Sequence, residues 1–177
     1  MSASVTSAEI EKAIRNVPDF PKAGIQFKDI TPLLADPRLF AGTIDLLTQN
    51  FKPGSVDSVV GIDARGFIFA AAAAQKLHAG FVPVRKKGKL PYQTIEEDYA
   101  LEYGNATVAM HVDALKPGAR VLLLDDLLAT GGTASAAASL VKKLGANILE
   151  IGFLIELKFL NGRDRLKGIP IRSLIGY

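Results

Sequence analysis

Residues 121–133 read VLLLDDLLATGGT, an aliphatic run that leads through two adjacent acids to a glycine pair flanked by threonines. The run up to Asp125 predicts a strand buried on both faces. Residues 127–132 predict a loop, and residues 133–144 predict a helix that closes at Gly145. Strand, loop and helix in this order are the repeating unit of parallel sheets, which bind ligands beyond the carboxyl ends of their strands.

Outward from this stretch, the chain alternates apolar strands with helical segments. Thr6 with Glu9 predicts a capping box for a first helix, and Asp36 predicts the N-cap of a second. Residues 86–99 carry charges, glycine and proline without periodicity and predict a long loop. Strands are predicted at 56–63, 81–85, 106–112, 120–125 and 148–157, and helices at 7–17, 37–51, 65–79 (ended by Gly80) and 133–144. We expect a doubly wound α/β fold with a mainly parallel sheet, in a single domain spanning 1–177.

Composition narrows the class of protein. With 177 residues, 49% hydrophobic and 22% charged, the chain fits one globular domain. Its longest nearly uncharged apolar stretch, residues 66–75, is far shorter than the ~20 residues that span a bilayer, and no leader pattern opens the chain. We therefore expect a cytoplasmic protein without membrane contact.

Cysteine, histidine and charge exclude further classes. The chain has no cysteine and two histidines, which excludes thiolate catalysis and disfavours a metal centre built from these residue types. The formal charge is +3, and the one dense basic run is 85-RKKGK-89. Because no zinc finger or aromatic RNA-binding pattern accompanies this run, we expect no nucleic-acid partner.

The chemistry of the opening stretch points to a pentose 5-phosphate. The N-terminus of a helix leaves N–H groups free to bind a phosphate, and Gly131 and Gly132 would let the main chain approach it. The anion site expected here comprises Ala129, Thr130, Gly131, Gly132 and Thr133. Asp125 and Asp126 would repel a phosphate, but they can accept hydrogen bonds from the vicinal hydroxyls of a sugar. A nucleotide-hydrolase P-loop needs Gly-Lys before Ser or Thr, and a dinucleotide fingerprint places its acid after the glycines, so neither fits.

The 121–133 stretch resembles the 5-phosphoribosyl pyrophosphate signature of type I phosphoribosyltransferases. Four further segments are similar, in the same order, to the adenine phosphoribosyltransferase family: DFPKAGIQFKDITPLLADP (19–37), GIDARGFIF (61–69), RKKGKLP (85–91) and LEYG (101–104). The resemblance implies transfer of the phosphoribosyl group from 5-phosphoribosyl pyrophosphate to adenine with Mg²⁺, giving AMP and pyrophosphate. It also implies a homodimer and an N-terminal hood, formed by residues 1–35, over the active site.

The same resemblance assigns roles around the departing pyrophosphate and the purine proton. It implies that Asp63, Ala64, Arg65 and Gly66 bind pyrophosphate, with a cis peptide between Asp63 and Ala64. Arg85 and Lys89 are the next candidates for this anion. Glu102 matches the family's catalytic-loop glutamate, and Tyr103 would help to close the loop over the reacting centre. By chemistry alone, the choice among Glu96, Glu97, Asp98 and Glu102 stays open.

Base recognition is likewise implied by the resemblance. The matching positions are Ile25, Gln26, Phe27 and Lys28, with Leu157 packing on the other face of the purine ring. Core packing is an alternative for Phe27 and Leu157. Lys28 is a departure, because the family commonly has arginine there, and an ammonium lacks the planar fork of a guanidinium.

Two other functions compete with this one. A 6-oxopurine phosphoribosyltransferase would share the signature, but such relatives generally lack the hood segment. A regulator that senses 5-phosphoribosyl pyrophosphate would carry a separate DNA-binding segment, for which this chain has no residues to spare.

Overall fold

The computed structural model describes residues 4–100 and 104–177 of the chain. Its contacts divide into two compact units, Met1–Leu46 and Leu47–Tyr177. No helix in the described ranges combines the length and the apolar character needed to cross a membrane.

The first unit contains three helices and a small antiparallel sheet. Their bounds are α1 (Ser7–Ala13), β1 (Arg15–Pro18), β2 (Gln26–Asp29), α2 (Thr31–Ala35) and α3 (Pro37–Thr48), the last of which continues into the second unit. The capping box of Thr6 and Glu9 is confirmed. So is the Asp36 cap, since its Oδ1 accepts hydrogen bonds from the backbone N–H groups of Arg38 and Leu39 at 2.9 Å.

The predicted helix over 7–17 is wrong beyond Ala13. Residues 15–18 form β1 instead, and Ile14 already has the extended backbone of a strand. Pro18 explains the change, because the residue before a proline is disfavoured in the helical region, and Val17 is β-branched.

The second unit is built on a seven-stranded sheet. Its elements are β3 (Ser58–Ile62), α4 (Gly66–Leu77), β4 (Gly80–Lys86), β5 (Thr94–Ala100), β6 (Asn105–His111), β7 (Arg120–Leu128), α5 (Gly132–Lys143), β8 (Asn147–Glu156), two short 3₁₀ turns (Lys158–Leu160 and Gly162–Leu166) and β9 (Ile171–Gly176). The strand order is β5-β6-β4-β3-β7-β8-β9. The pairs among β4, β3, β7, β8 and β9 are parallel, and β6 pairs antiparallel with β4 and β5.

This strand order confirms the mainly parallel, doubly wound fold. From β3 the chain moves outward to β4 on one side and later returns to lay β7 on the other side. The gap between β3 and β7 is therefore the topological switch point of the sheet, the place where ligands bind in open α/β folds. The aliphatic run Val121–Leu124 is fully buried, as its sequence predicts.

Several boundaries differ from the sequence prediction. Residues 94–99, predicted to lie in a loop, belong to β5. Ile95 and Tyr99 of this strand pack toward the core, but the charged Glu97 stands between them and interrupts the apolar alternation in the sequence. β7 continues to Leu128, so the loop after it shortens to 129–131. α4 ends at Leu77 through left-handed His78, and Gly80 already begins β4. The strands β1, β2 and β9 were not predicted.

Candidate active site

The switch point opens into a cavity of about 310 Å³. It brings together the turn after β3, the end of β7 and the start of α5, three segments that are distant in sequence. The lining residues are Ile62, Asp63, Ala64, Arg65, Val84, Lys86, Tyr99, Val108, Asp125, Asp126 and Thr133. Six of these residues were predicted site residues: Asp63, Ala64, Arg65, Asp125, Asp126 and Thr133. The predicted pyrophosphate turn and the predicted sugar-binding acids therefore lie in the same cavity.

A smaller concavity of about 70 Å³ adjoins this cavity and shares Asp125 and Thr133 with it. Every residue of the predicted anion site, Ala129 to Thr133, lines it. Gly131 has φ +81°, a conformation that side chains rarely adopt, and α5 begins at the next residue. The loop therefore presents the N-terminus of a helix to a small hollow, the geometry in which backbone N–H groups bind anions.

A second glycine, Gly162, packs against the backbone of this loop. A Cβ atom on Gly131 would lie 2.3 Å from the carbonyl oxygen of Gly162, and a Cβ on Gly162 would lie 2.3 Å from the carbonyl oxygen of Ala129. The two backbones touch because neither residue has a side chain. The Asn161-Gly162 pair was not singled out in the sequence, although Asn-Gly is a common turn signal.

The two acids at the end of β7 differ in their surroundings. Asp126 is 6% exposed and its Oδ2 lies 2.7 Å from the Nε of Arg65. Asp125 accepts a 2.8 Å hydrogen bond from the backbone N–H of Asp126. Burial, reinforced by the negative charge of Asp126, raises the pKa of Asp125 well above its ordinary value. Burial also raises the pKa of Asp126, although the positive charge of Arg65 opposes the shift.

The turn after β3 places a second arginine-acid pair beside the first. The predicted cis peptide between Asp63 and Ala64 is present. The Nε of Arg85 donates to Asp63 Oδ2 at 3.0 Å, and its Nη1 donates to the carbonyl oxygen of Lys89 at 3.0 Å. Arg85 thus reaches the site through Asp63, while neither Arg85 nor Lys89 is among the residues that line the cavity.

Gly66 allows the turn to approach β7 closely. A Cβ atom there would lie 2.7 Å from Oδ1 of Asp125 and 3.1 Å from the carbonyl oxygen of Leu124. The first residue of α4 therefore needs to be glycine for the turn and the two acids to share one site.

Three of the four candidate acids of the β5–β6 region have structural partners. Glu96 pairs with Lys87 at 2.6 Å, Glu97 pairs with Lys143, and Asp98 accepts a 2.6 Å hydrogen bond from the hydroxyl of Thr107. The hydrogen bond from Lys143 lowers the pKa of Glu97, which keeps it ionised. The predicted Glu102 and Tyr103 lie outside the described residues.

Besides the aliphatic residues Ile62, Val84 and Val108, the sequence analysis missed two cavity residues with polar groups, Lys86 and Tyr99. Lys86 follows Val84 on the same face of β4, so period-two alternation would have found it had the strand been extended by one residue. Tyr99 was missed because β5 was assigned to a loop. Its ring approaches the start of α5, where a Cβ on Gly132 would lie 3.1 Å from Tyr99 Cδ2.

The predicted base-recognition segment lies in the first unit. Ile25 is exposed and precedes β2, which contains Gln26, Phe27 and Lys28. Phe27 packs edge-to-face on Phe20 with ring centroids 5.1 Å apart, and Lys28 Nζ donates to Asn16 Oδ1 at 2.7 Å.

Leu157 lies in the second unit. Its backbone N–H donates to the carbonyl oxygen of Leu128 at 2.9 Å, directly before the anion loop. Its side chain is half-buried, in contrast to the fully buried strand residues Phe153 and Leu154 that precede it. The core-packing alternative therefore fits Leu157 less well than it fits its neighbours in β8.

In the ranges 4–100 and 104–177, no group of three or more His, Asp or Glu residues is arranged to hold a metal ion. The carboxylates of the cavity are committed to arginines or to backbone N–H groups.

Known proteins match this chain over most of its length. The family model of the phosphoribosyl transferase domain matches residues 29–167. An adenine phosphoribosyltransferase of Acidothermus cellulolyticus is 59% identical over 162 residues, covering 92% of both chains. One from Sorangium cellulosum is 61% identical over 169 residues, covering 93% of this chain and 84% of its own.

Solved structures agree with these sequence matches. The crystal structure of adenine phosphoribosyltransferase from Rhodothermus marinus superimposes with a TM-score of 0.92 at 51% identity, covering 97% of this chain and 98% of that one. The Saccharomyces cerevisiae enzyme, complexed with adenine and an imino-altritol bisphosphate, gives a TM-score of 0.90 at 41% identity, with 95% and 97% coverage.

Proposed function

The chain belongs to the adenine phosphoribosyltransferase family, and from this we propose that it transfers the phosphoribosyl group of 5-phosphoribosyl pyrophosphate to adenine, giving AMP and pyrophosphate in purine salvage. One observation carries the proposal beyond family membership. A helix N-terminus suited to a phosphate and a pair of carboxylates suited to sugar hydroxyls share Asp125 and Thr133 in adjoining hollows. These are the two ends of a ribose 5-phosphate.

The anion loop, Ala129 to Thr133, binds the 5-phosphate in this proposal. Its N–H groups and the hydroxyls of Thr130 and Thr133 are donors, and the helix dipole favours negative charge at this position. Asp125 and Asp126 accept hydrogen bonds from the ribose hydroxyls. The close backbone contact between Gly131 and Gly162 supports this role, because a loop that is already fixed loses little conformational entropy when the substrate binds.

Pyrophosphate departure needs positive charge and backbone donors close to the anomeric carbon. We assign this task to the turn Asp63–Gly66 and to Arg65, with Arg85 and Lys89 as further cations. Asp126 and Asp63 hold the two arginines at 2.7 and 3.0 Å, so both guanidinium groups are oriented without substrate. An incoming pyrophosphate group offers each arginine a second, stronger anion.

Proton exchange with the purine is assigned to Glu102, and closure over the reacting centre to Tyr103. The pairing of Glu96, Glu97 and Asp98 with Lys87, Lys143 and Thr107 supports this choice, because each of these acids already has a structural task. Excluding water at this point would protect the oxocarbenium-like sugar from hydrolysis.

Adenine recognition remains with Ile25, Gln26, Phe27, Lys28 and Leu157 in this proposal. The backbone of an extended segment can satisfy both the N6 donor and the N1 acceptor of adenine, and β2 supplies extended backbone at three of these positions. Leu157 contributes an apolar side chain fixed beside the anion loop through Leu128.

Mg²⁺ is proposed to be held through pyrophosphate oxygens and water. When bound, the ion neutralises charge that develops on the leaving pyrophosphate. A homodimer and a cytoplasmic location are further proposals that rest on family resemblance.

A purine panel tests the proposed function. Purified protein is incubated with 5-phosphoribosyl pyrophosphate, Mg²⁺ and, in separate reactions, adenine, hypoxanthine or guanine. We expect AMP and pyrophosphate from adenine and no comparable product from the other two. Product from hypoxanthine in place of adenine would identify a 6-oxopurine enzyme, and binding of 5-phosphoribosyl pyrophosphate without turnover of any purine would identify the sensor alternative.

A further inference from the structure

A second hollow lies on α5 away from its N-terminus. Its volume is about 440 Å³, and the residues that line it are Ser135, Ala138, Ser139, Lys142, Lys143, Arg165, Leu166, Lys167 and Ile169. It shares no lining residue with the active-site cavity or with the anion-loop hollow. The proposed transfer reaction gives this hollow no task.

The hollow has an excess of positive charge. Four of its nine lining residues are cationic and none is acidic. Lys143 is neutralised by Glu97, whose carboxylate also accepts a hydrogen bond from Ser139. The side chains of Lys142, Arg165 and Lys167 make no ion pair or hydrogen bond with any residue in the described ranges. Three cationic residues thus line one hollow, and Arg165 lies nearest the anion loop, with its Nη1 3.7 Å from where a Cβ on Gly132 would stand.

The floor of the hollow is apolar. Ala138 and Leu166 are buried, and Ile169 packs partly buried against the main core. Cations arranged around an apolar floor attract an anion more strongly than the same cations in open solvent, because the low-dielectric wall limits screening. The hydroxyl of Ser135 adds one donor at this site.

We infer that this hollow, defined by Lys142, Arg165 and Lys167 around Ala138, Leu166 and Ile169, is a second binding site for a polyphosphate anion, distinct from the substrate site. Three unneutralised cations match the charge of a di- or triphosphate chain better than that of a single phosphate. Inorganic polyphosphate and a nucleoside triphosphate share this chemistry, and the apolar floor would add contact area only for the nucleoside.

Titration calorimetry tests the inference with the full-length protein. The probes are inorganic tripolyphosphate and adenosine triphosphate, each titrated once alone and once with excess AMP to occupy the substrate site. The variant Lys142→Gln/Lys167→Gln removes two pocket charges and leaves the proposed catalytic residues intact. The control Lys12→Gln/Lys52→Gln removes two charges from exposed lysines that do not line the hollow.

We expect at least tenfold weaker binding of one probe or both to the pocket variant, in the presence of AMP, than to the control variant and the wild-type protein. The binding should weaken as salt rises, because these charges are exposed. Tighter binding of adenosine triphosphate than of tripolyphosphate would show that the apolar floor contacts the nucleoside. Equal binding would assign recognition to the phosphate chain alone.

Identical titrations of wild-type and pocket-variant protein would overturn the inference. So would binding of a single-stranded RNA, lost in the pocket variant, when neither polyphosphate binds. The proposed function fails separately: its loss appears as missing AMP formation, whereas weaker polyphosphate binding by the pocket variant than by the control variant reports on the hollow. AMP formation by the pocket variant at the wild-type rate confirms that it is folded.

Discussion

Two acids that line the cavity, Asp126 and Asp63, each hold an arginine. Arg65 lies on Asp126 and Arg85 on Asp63, so both guanidinium groups are aimed before any anion arrives. Each pair includes a group that is about a third exposed, so the direct gain in stability is modest. The ion pairs instead orient the arginine side chains. An arginine that is already fixed loses less rotational freedom when a pyrophosphate group displaces the acid or binds beside it.

A substitution at Glu102 tests the proposed proton transfer. Glu102→Gln keeps the size and removes the titratable proton, and we expect turnover to fall by roughly 10² to 10⁴. Glu96→Gln is the matched control, because Glu96 lies in the same β5–β6 region but is paired with Lys87. Steady-state AMP formation measures both. Turnover near wild type in Glu102→Gln would remove this residue from the mechanism, and an equal loss in both variants would indicate a structural effect.

At the scale of elements, the contact between the anion loop and the 3₁₀ segment sets the geometry of the site. Two neighbouring glycines, Gly131 and Gly162, let these two backbones touch, and the start of α5 depends on the position of that loop.

Gly131→Ala should damage both stability and activity. The left-handed conformation costs a non-glycine residue ~1–2 kcal/mol, and the added Cβ would meet the carbonyl oxygen of Gly162 at 2.3 Å. Gly118→Ala isolates the first effect, because Gly118 has φ +80° with nothing within 4 Å of a Cβ.

Urea unfolding and the KM for 5-phosphoribosyl pyrophosphate distinguish the two glycine variants. We expect Gly118→Ala to lose stability while keeping its KM, and Gly131→Ala to lose more stability and to raise its KM at least tenfold. An unchanged KM in Gly131→Ala would contradict the role of this loop in substrate binding.

The helices and strands also show which parts of the fold could be predicted from the sequence. The buried runs of β3, β7 and β8 and the capped helix α3 are evident because their signals are local: apolar continuity, or an acid followed by proline. β5 is hidden because Glu97 occupies a position where Ile95 and Tyr99 would predict another apolar residue. Glu97 is tolerated there only because Lys143, distant in sequence, neutralises it.

In the candidate site, too, only the features with a local sequence signal were predicted. Asp125, Asp126 and the Ala129–Thr133 loop were predicted because one contiguous stretch contains them. The pairing of Asp126 with Arg65 and the support of Gly131 by Gly162 were not predicted, since both are contacts between segments that only the folded sheet brings together.

For the whole molecule, the site places a carboxyl group where folding opposes its charge. Burial and the charge of Asp126 raise the pKa of Asp125 well above its ordinary value. Between the ordinary pKa and the raised one, the folded state keeps a proton that the unfolded state releases. The free energy of unfolding therefore falls as pH rises through this interval, and the associated stability is fully present only below the ordinary pKa.

Asp125→Asn should consequently stabilise the protein at neutral pH. Asparagine carries no charge at any pH, and its Oδ1 can still accept the hydrogen bond from the N–H of Asp126. Each unit by which the folded pKa exceeds the unfolded one corresponds to about 1.4 kcal/mol. We expect the gain over wild type to be largest at pH 7 and to shrink toward zero as pH falls below the ordinary aspartate value of about 3.9.

Urea unfolding without ligand, from about pH 3 to pH 8, measures this gain. Asp113→Asn is the control, because it removes the same charge from an exposed residue that pairs with no other described residue. The control should follow the wild-type dependence on pH. The same Asp125→Asn variant should bind 5-phosphoribosyl pyrophosphate more weakly, since an amide replaces the carboxyl group proposed to accept hydrogen bonds from the ribose hydroxyls. A variant no more stable than wild type at pH 7 would show that burial of this carboxyl group does not destabilise the fold.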